Sequence, residues 1–323
     1  MTAARLPRAR VIVDNDFAGD PDDLFQLAHH LLSPSVEIPF VISSRLPANP
    51  PEAQIGSIER GASVVAALLE QMGLEVPVLR GSERDRIGDA PVRSEASDAI
   101  VAEALRDDTD LPLYLVLGGG LTELANAYLT EPAISRRLTA IWIGGAGYAE
   151  IQPAEPGVFG AEYNMDIDVP SAQIVYASSI PLWQVPEDAQ RRCLVSWSEL
   201  RERVGGLGGF GAHLMAALDE FADLVGVHGG LNLGETYALG DSPLVLLTAL
   251  QSAFDPDPAS SESQIVPRPS ITDSGWYGAA QPDRPPVRVF TRLDTRLMFE
   301  DMYAKFAAHA RSSTTSSTSK EAE

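Results

Sequence analysis

The sequence predicts an α/β protein, with an open, mostly parallel sheet that is flanked by helices. Short apolar runs that are typical of buried strands alternate with longer segments of helical period. Alternation of this kind places helices on the faces of a parallel sheet. In addition, the first apolar run leads into five aspartates between residues 14 and 23, and a helical pattern with Leu24, Leu27 and Leu31 follows. This strand, acidic loop and helix begin a βαβ unit.

The predicted elements follow one another along the whole chain. Strands are expected at 9–14, 38–44, 77–80, 112–117, 139–144, 181–185 and 286–291. Helices are expected at 21–32, 56–73, 95–106, 121–129, 168–178, 197–204, 211–225, 242–253 and 294–309. The stretch 254–285 is rich in Pro, Ser and Asp, and a loop of that length is usually functional or mobile. It is therefore a candidate lid.

Composition narrows the class of protein. At 323 residues and 45% hydrophobic, the chain can bury one large core, so we expect a single domain over 1–310 and a disordered, Ser- and Thr-rich tail over 311–323. The net charge of −21 repels phosphate backbones, which argues against a nucleic-acid partner. The single cysteine, Cys193, suits a reducing compartment and favours the cytoplasm. No apolar run approaches the length of a membrane span.

The aspartates of the first loop are the strongest functional signal. They follow a buried strand, and open α/β sheets bind ligands at the carboxyl ends of their strands. Helix capping explains Asp22 or Asp23 but not Asp14 and Asp16. Crowded carboxylates raise one another's pKa, and a hard cation such as Ca²⁺ or Mg²⁺ would offset their charge. An EF-hand is excluded because Phe25 stands where the bidentate Glu belongs.

Six segments resemble the nucleoside hydrolase family in order. Asp14-x-Asp16 followed by Asp22-Asp23 is similar to the family's D-x-D-P-G-x-D-D signature, with a loop two residues longer. Five later segments continue the resemblance: Phe40 to Asn49, Leu115 to Ala125, Ile141 to Asp168, Leu239 to Val245 and Val287 to Asp294. The resemblance spans about residues 9–309. It implies a Ca²⁺-dependent enzyme that cleaves the N-glycosidic bond of a ribonucleoside, or of a related ribosyl compound, with activated water.

The resemblance also implies a role for each matching residue. Asp16 would be the general base and a metal ligand, together with Asp23, Asp241 and the carbonyl oxygen of Gly118. Asp14 would support the metal ligands from behind. Five side chains would bind ribose: Asp22, Asn49, Glu162, Asn164 and Asp241.

One departure concerns the leaving group. The family carries His or Trp just before the late Asp, with the His as acid for the leaving base, whereas this chain has Gly240. His228, on a predicted loop, is a possible substitute, while His29 and His30 are expected at a surface or a helix end. Trp276 and Tyr277 could stack a base, although packing is the commoner fate of such a pair.

Two functions are therefore compared. The first is hydrolysis of a small nucleoside-like substrate by a homo-oligomer, a dimer or a tetramer as the resemblance implies. The alternative is a non-catalytic protein that binds Ca²⁺ and ribose on the same scaffold, which the missing acid at Gly240 motivates.

Overall fold

A twisted sheet of nine strands forms the centre of the described part of the protein. The structure is a computed structural model that describes residues 6–48, 50–84, 90–149, 151, 161–252 and 260–320. The strands are β1 (Ala9–Asn15), β2 (Val36–Glu37), β3 (Val41–Ser43), β4 (Val78–Arg80), β5 (Leu113–Leu117), β6 (Leu138–Ile143), β7 (Leu182–Val185), β8 (Leu194–Ser196), β9 (Thr236–Ala238), β10 (Glu262–Val266), β11 (Pro269–Ile271), β12 (Tyr277–Ala280) and β13 (Val287–Arg292). All seven predicted strands are present.

The helices flank this sheet. They are α1 (Asp22–Leu31), α2 (Pro51–Gln54), α3 (Ser57–Met72), α4 (Glu95–Ala104), α5 (Thr122–Thr130), α6 (Tyr163–Ile167), α7 (Val169–Ala177), α8 (Glu187–Gln190), α9 (Trp197–Leu200), α10 (Gly208–Gly229), α11 (Pro243–Leu246) and α12 (Thr295–Lys320). Among the described residues, no helix is both long enough and apolar enough to cross a membrane.

The strand order places a ligand crevice at β1. The main sheet runs β10-β13-β7-β6-β5-β1-β3-β4, and every neighbouring pair is parallel except β10 with β13. From β1 the chain first builds outward through β3 and β4, and it then returns to place β5 on the other side of β1. The loops that leave β1 and β5 therefore diverge to opposite faces, which opens a crevice at their carboxyl ends. The predicted open, mostly parallel sheet is confirmed.

Side chains that alternate along the strands feed two hydrophobic layers. Val11 and Val13 of β1 pack with α1, α3, α10 and α12, whereas Ile12 packs with α4, α5 and α7 on the other face. Because both faces are covered, the strands are apolar throughout rather than alternating between apolar and polar residues.

Several boundaries differ from the sequence prediction. The predicted helix 242–253 is the single turn α11, and the predicted loop 254–285 contains β10, β11 and β12 within its described part, 260–285. Strand pairing at the sheet edge supplies the backbone hydrogen bonds there, and no local sequence pattern reports such pairing. Helix α12 continues to Lys320, beyond the predicted end at 309 and into the tail predicted to be disordered. The hydroxyls of Ser312 and Ser313 both donate to the carbonyl of His309 there.

The histidine pair of α1 is buried, not exposed. His29 Nε2 lies 2.8 Å from Asp301 Oδ2, and His30 Nε2 lies 2.8 Å from Thr248 Oγ1. Burial lowers the pKa of His29 to about 4 and lowers that of His30 still more clearly. Both lie in the last turn of α1, so the expected helix end is confirmed, whereas the expected surface position is wrong because α12 and α11 cover this face of α1.

Arg268 anchors the β11–β12 hairpin to the body of the protein. Its guanidinium is fully buried and donates to the carbonyl oxygens of Val175 (3.3 Å), Ser178 (3.2 Å) and Ile180 (2.7 Å). Val175 and Ser178 lie at the C-terminus of α7, where backbone carbonyls lack helical partners and a positive charge is favourable.

Arg268→Met should destabilise the protein by about 2–4 kcal/mol, because it leaves the buried carbonyl groups of Ser178 and Ile180 without their guanidinium donor. Urea unfolding followed by circular dichroism measures the change. Arg80→Met is the matched control, because the contacts of Arg80 with Glu59 and with the Val78 carbonyl are exposed and their removal should shift the midpoint far less. Equal shifts for the two variants would show that Arg268 is not a structural anchor.

Candidate active site

Two segments of the chain bring three carboxylates together at the crevice. Asp22 and Asp23 begin α1, and Asp241 lies between β9 and α11. Each side chain offers one oxygen, and the three oxygens lie within 4.8 Å of one another. All three residues are buried, so water screens their charges poorly.

The amide of Asn15 lies at the centre of this cluster. Its Nδ2 donates to Asp23 Oδ1 (2.6 Å), to Asp241 Oδ2 (3.0 Å) and, more weakly, to Gln26 Oε1 (3.2 Å). Its Oδ1 accepts from the backbone N–H of Gly118 at 3.0 Å. One neutral side chain thus links the loops after β1, β5 and β9.

Electrostatics at the cluster favour a cation. Burial, and then the charges of neighbouring aspartates, raise the pKa of Asp22, Asp23 and Asp241 well above the usual value. No Lys or Arg nitrogen of the described residues forms an ion pair with these three carboxylates. Converging hard oxygen donors without a positive partner suit a divalent cation such as Ca²⁺ or Mg²⁺. The residues present therefore fit a metal centre.

The glycines after β5 permit the carboxylates to approach the backbone. A Cβ on Gly118 would lie 1.8 Å from Asp241 Oδ2, and a Cβ on Gly119 would lie 2.9 Å from Asp16 Oδ1. Any other residue at position 118 would displace Asp241. The carbonyl oxygen of Gly118, the predicted metal ligand, accepts from Asn164 Nδ2 at 2.7 Å and retains a second lone pair.

Asp16 lies beside the triad of Asp22, Asp23 and Asp241 rather than within it. Burial is the main reason that the pKa of Asp16 is raised to about 7, and the charges of Asp20 and Glu162 add to the shift. Asp14 is buried as well, and burial followed by the charge of Glu123 raises its pKa. The backbone carbonyl of Asp14 accepts from Gly118 N–H at 3.1 Å, so it helps to hold the glycine loop.

Glu162 and Asn164 frame the opposite side of the crevice. Glu162 is the N-cap of α6, and its Oε2 accepts from the backbone N–H of Met165 (3.1 Å) and of Gly145 (2.7 Å). Burial raises the pKa of Glu162 to about 7 although these N–H groups oppose the shift. Both residues are buried, in contrast to a solvated loop. Asn49 lies outside the described residues.

The space above Gly240 is filled from another element. A Cβ on Gly240 would lie 2.6 Å from Gln190 Oε1 and 3.3 Å from Asp22 Oδ2. The carboxamide of Gln190, at the end of α8, therefore stands where a side chain at position 240 would begin. Nearby Cys193 is fully buried, and its pKa is raised to about 12 by burial and by Asp22, so it is not a thiolate nucleophile.

Sequence reasoning missed three residues of the site: Asn15, Gln190 and Tyr237, whose hydroxyl donates to Asp20. Asn15 could have been found, because strand alternation places it on the same face of β1 as Val11 and Val13, which is opposite to the face of Asp14 and Asp16. Gln190 and Tyr237 carry no such signal.

His228 lies in the last turn of α10, not on a loop as predicted. The ring of Tyr277 packs against Tyr148 within the protein.

Fold and site together define an α/β protein with a candidate metal centre at the switch point of its sheet. The family model of the inosine-uridine preferring nucleoside hydrolase matches residues 11–296, so the chain belongs to that family. It is thus a glycosidase that acts on N-glycosidic bonds. A search of curated protein sequences finds no significant match.

Solved structures agree with this fold. A purine-preferring ribonucleoside hydrolase from Gardnerella vaginalis superposes with a TM-score of 0.68 at 18% identity, over 93% of this chain and 99% of that one. A plant nucleoside hydrolase gives a TM-score of 0.67 at 18% identity, over 94% and 100%. An inosine-uridine preferring nucleoside hydrolase from Bacillus anthracis gives 0.63 at 18% identity, over 93% and 99%.

Calcium should stabilise the protein more strongly at pH 8 than at pH 5. Raised carboxyl pKa values mean that the metal-free fold holds protons that the unfolded chain releases, so this contribution to stability is lost as pH rises from about 4 to 7 and above. A cation reverses that loss, and at pH 5 it must first displace protons. At 100 times Kd we expect about 2.7 kcal/mol, or about 4 °C in Tm for a chain of 323 residues.

Differential scanning calorimetry with Ca²⁺ and after chelation measures this difference. The buried histidines are present in both states, so their own pH dependence cancels. Asp23→Asn should abolish most of the shift, whereas Asp108→Asn, an exposed acid remote from the site, should preserve it. An equal shift at both pH values, or an undiminished shift in Asp23→Asn, would contradict the metal centre.

Proposed function

We propose that the protein is a Ca²⁺-dependent N-ribosyl hydrolase that uses water to cleave a ribonucleoside or a related ribosyl compound. The observation that carries this proposal is the convergence of Asp22, Asp23 and Asp241 beside Asp16 at the sheet's switch point. Family membership supports the reaction class.

The cation would be held by Asp16, Asp23, Asp241 and the carbonyl oxygen of Gly118. Asp23 and Asp241 both accept hydrogen bonds from the amide of Asn15. Asp16 lies against Gly119, the residue that follows Gly118. When bound, a divalent cation lowers the pKa of a water molecule and orients the sugar hydroxyls. Asp14 supports this arrangement from behind through its carbonyl contact with Gly118.

Asp16 is the general base in this proposal. The buried carboxylate of Asp16 lies against the glycine loop beside the triad, where it would accept the proton of the attacking water. Its carboxylate also borders the position where positive charge develops on the sugar, which it would stabilise.

Ribose would lie between the acidic loop and α6. Asp22 and Asp241 contact one another through Asp22 Oδ2 and Asp241 N–H at 2.9 Å, and we propose that their carboxylates bind ribose hydroxyls. Glu162 and Asn164 approach from the other side, and their backbone contacts hold them in place. Asn49 completes the proposed set.

The leaving group meets no acid at position 240. A carboxamide such as that of Gln190 donates hydrogen bonds but does not release a proton at neutral pH. We therefore propose substrates whose leaving group departs without protonation. The non-catalytic alternative predicts binding of ribose and Ca²⁺ without any turnover.

The proposal also includes a cellular compartment and an oligomeric state. The lone, buried Cys193 suits the cytoplasm, and a dimer or a tetramer is proposed for the assembly.

Asp16→Asn should lower kcat for ribose release by about 10²- to 10⁴-fold, because it removes the proposed base and retains its shape. A coupled assay for free ribose with Ca²⁺ present provides the measurement. Asp108→Asn, an exposed acid remote from the site, is the control and should keep its rate within a few-fold. If Asp16→Asn retains turnover within a few-fold, Asp16 is not the base.

p-Nitrophenyl riboside should be cleaved far faster than inosine or uridine. The p-nitrophenolate group leaves without a proton, whereas a nucleobase needs one, so kcat should rise as leaving-group pKa falls. Comparable rates on both would mean that another residue supplies the proton, and His228 or the 254–285 segment would be mutated first. Failure to cleave either substrate would favour the non-catalytic alternative.

A further inference from the structure

The side chain of Gln184 is the hub of a buried hydrogen-bond network behind the crevice. It projects from β7 and is fully buried. Its Oε1 accepts from the hydroxyls of Tyr148 (2.8 Å) and Tyr176 (2.9 Å). Its Nε2 donates to the carbonyl of Gly144 (2.7 Å) and to the hydroxyl oxygen of Tyr277 (2.6 Å). All four hydrogen-bonding positions of the amide are thus used, which fixes its orientation.

This network holds the turn that follows β6. Gln184 binds the carbonyl of Gly144, and the hydroxyl of Tyr277 donates to the carbonyl of Ala146 at 2.8 Å. Between them, the carbonyl of Gly145 accepts from the backbone N–H of Glu187 at 2.9 Å. The N–H of Gly145 itself donates to Glu162 Oε2 at 2.7 Å.

Gly145 is required for this contact on two grounds. Its φ of +77° is a left-handed conformation that other residues rarely adopt. A Cβ there would also lie 2.5 Å from both Gln184 Nε2 and Tyr277 Oη. The amide and the phenol therefore pack directly against bare backbone, so a movement of the turn would break their hydrogen bonds.

Tyr277 reaches the turn from the β11–β12 hairpin, far along the chain. Its ring stacks on Tyr148 with centroids 4.5 Å apart and an angle of 22°. The hairpin is itself fastened by Arg268 and by Gln281, whose Nε2 donates to the carbonyls of Tyr176 (3.0 Å) and Pro269 (2.8 Å). A segment outside the main sheet is thus rigidly connected to the crevice.

We propose that Gln184 and Tyr277 are positioning residues for Glu162. They fix the turn 144–146, and the turn aims the Gly145 N–H at Glu162 Oε2, which sets the position of the Glu162 carboxylate at the crevice. The inference rests on the proposed role of Glu162 in holding ribose. Tyr277 then controls substrate binding without touching the substrate.

Tyr277→Phe and Tyr176→Phe form a matched pair for the test. Each removes one buried hydroxyl bonded to Gln184 and keeps its ring, but only Tyr277 also bonds the turn. Tyr277→Phe should raise KM for p-nitrophenyl riboside about tenfold and leave kcat within about threefold. Tyr176→Phe should leave both constants within about twofold, although both variants should lose similar Tm.

Two further measurements separate this inference from the proposed function. Amide hydrogen exchange of Gly145, followed by NMR, should accelerate at least tenfold in Tyr277→Phe and stay unchanged in Tyr176→Phe. In a Glu162→Gln background, Tyr277→Phe should raise KM no further. Unchanged exchange at Gly145, or equal KM effects for the two tyrosines, would overturn the inference. A wild-type protein that cleaves no riboside would instead overturn the proposed function, and the exchange data would still decide whether Tyr277 holds the turn.

Discussion

The Asn15 amide donates to Asp23 and Asp241 and accepts from Gly118, and the rest of the site depends on these contacts. Burying several carboxylates together costs free energy, because each opposes the ionisation of the next. A neutral amide lessens that cost without neutralising the charge, so the cluster retains its demand for a cation. It also ties the loop after β9 to the switch point between β1 and β5, which the strand order alone would not bring about.

A second amide, that of Gln184, has the same structural role on the Glu162 side of the crevice as the amide of Asn15 has beside the aspartates. Each is fully buried, each bonds backbone and side chains from separate elements, and each holds a glycine loop against a carboxylate. The glycines at 118, 119 and 145 permit this because a Cβ at any of them would collide with a polar group of the site. Rigid backbone, rather than long flexible side chains, therefore sets the positions of the carboxylates.

Charge is distributed unevenly around the crevice. Carboxylates crowd the side proposed for ribose and the cation, whereas position 240 offers only the carboxamide of Gln190. Such a site stabilises positive charge on a sugar well and neutralises a departing anion poorly. This distribution is consistent with both the family's reaction and the presence of Gly240 where the family carries His or Trp, because a leaving group that is stable as an anion needs no acid.

Local sequence was sufficient for the parallel sheet and for the acidic loop. Apolar runs report burial on both faces of a strand, and aspartates directly after such a run must lie at its carboxyl end. Glu162 and Asn164, in contrast, were assigned to the crevice only through the resemblance to a family, since no periodic pattern marks them. Tertiary structure alone decided that Gln190 fills the space at Gly240, that Tyr277 supports a turn, and that His29 and His30 are buried. These outcomes depend on contacts between residues fifty or more positions apart, or on which helix covers which face. Periodicity within one segment carries no information about either.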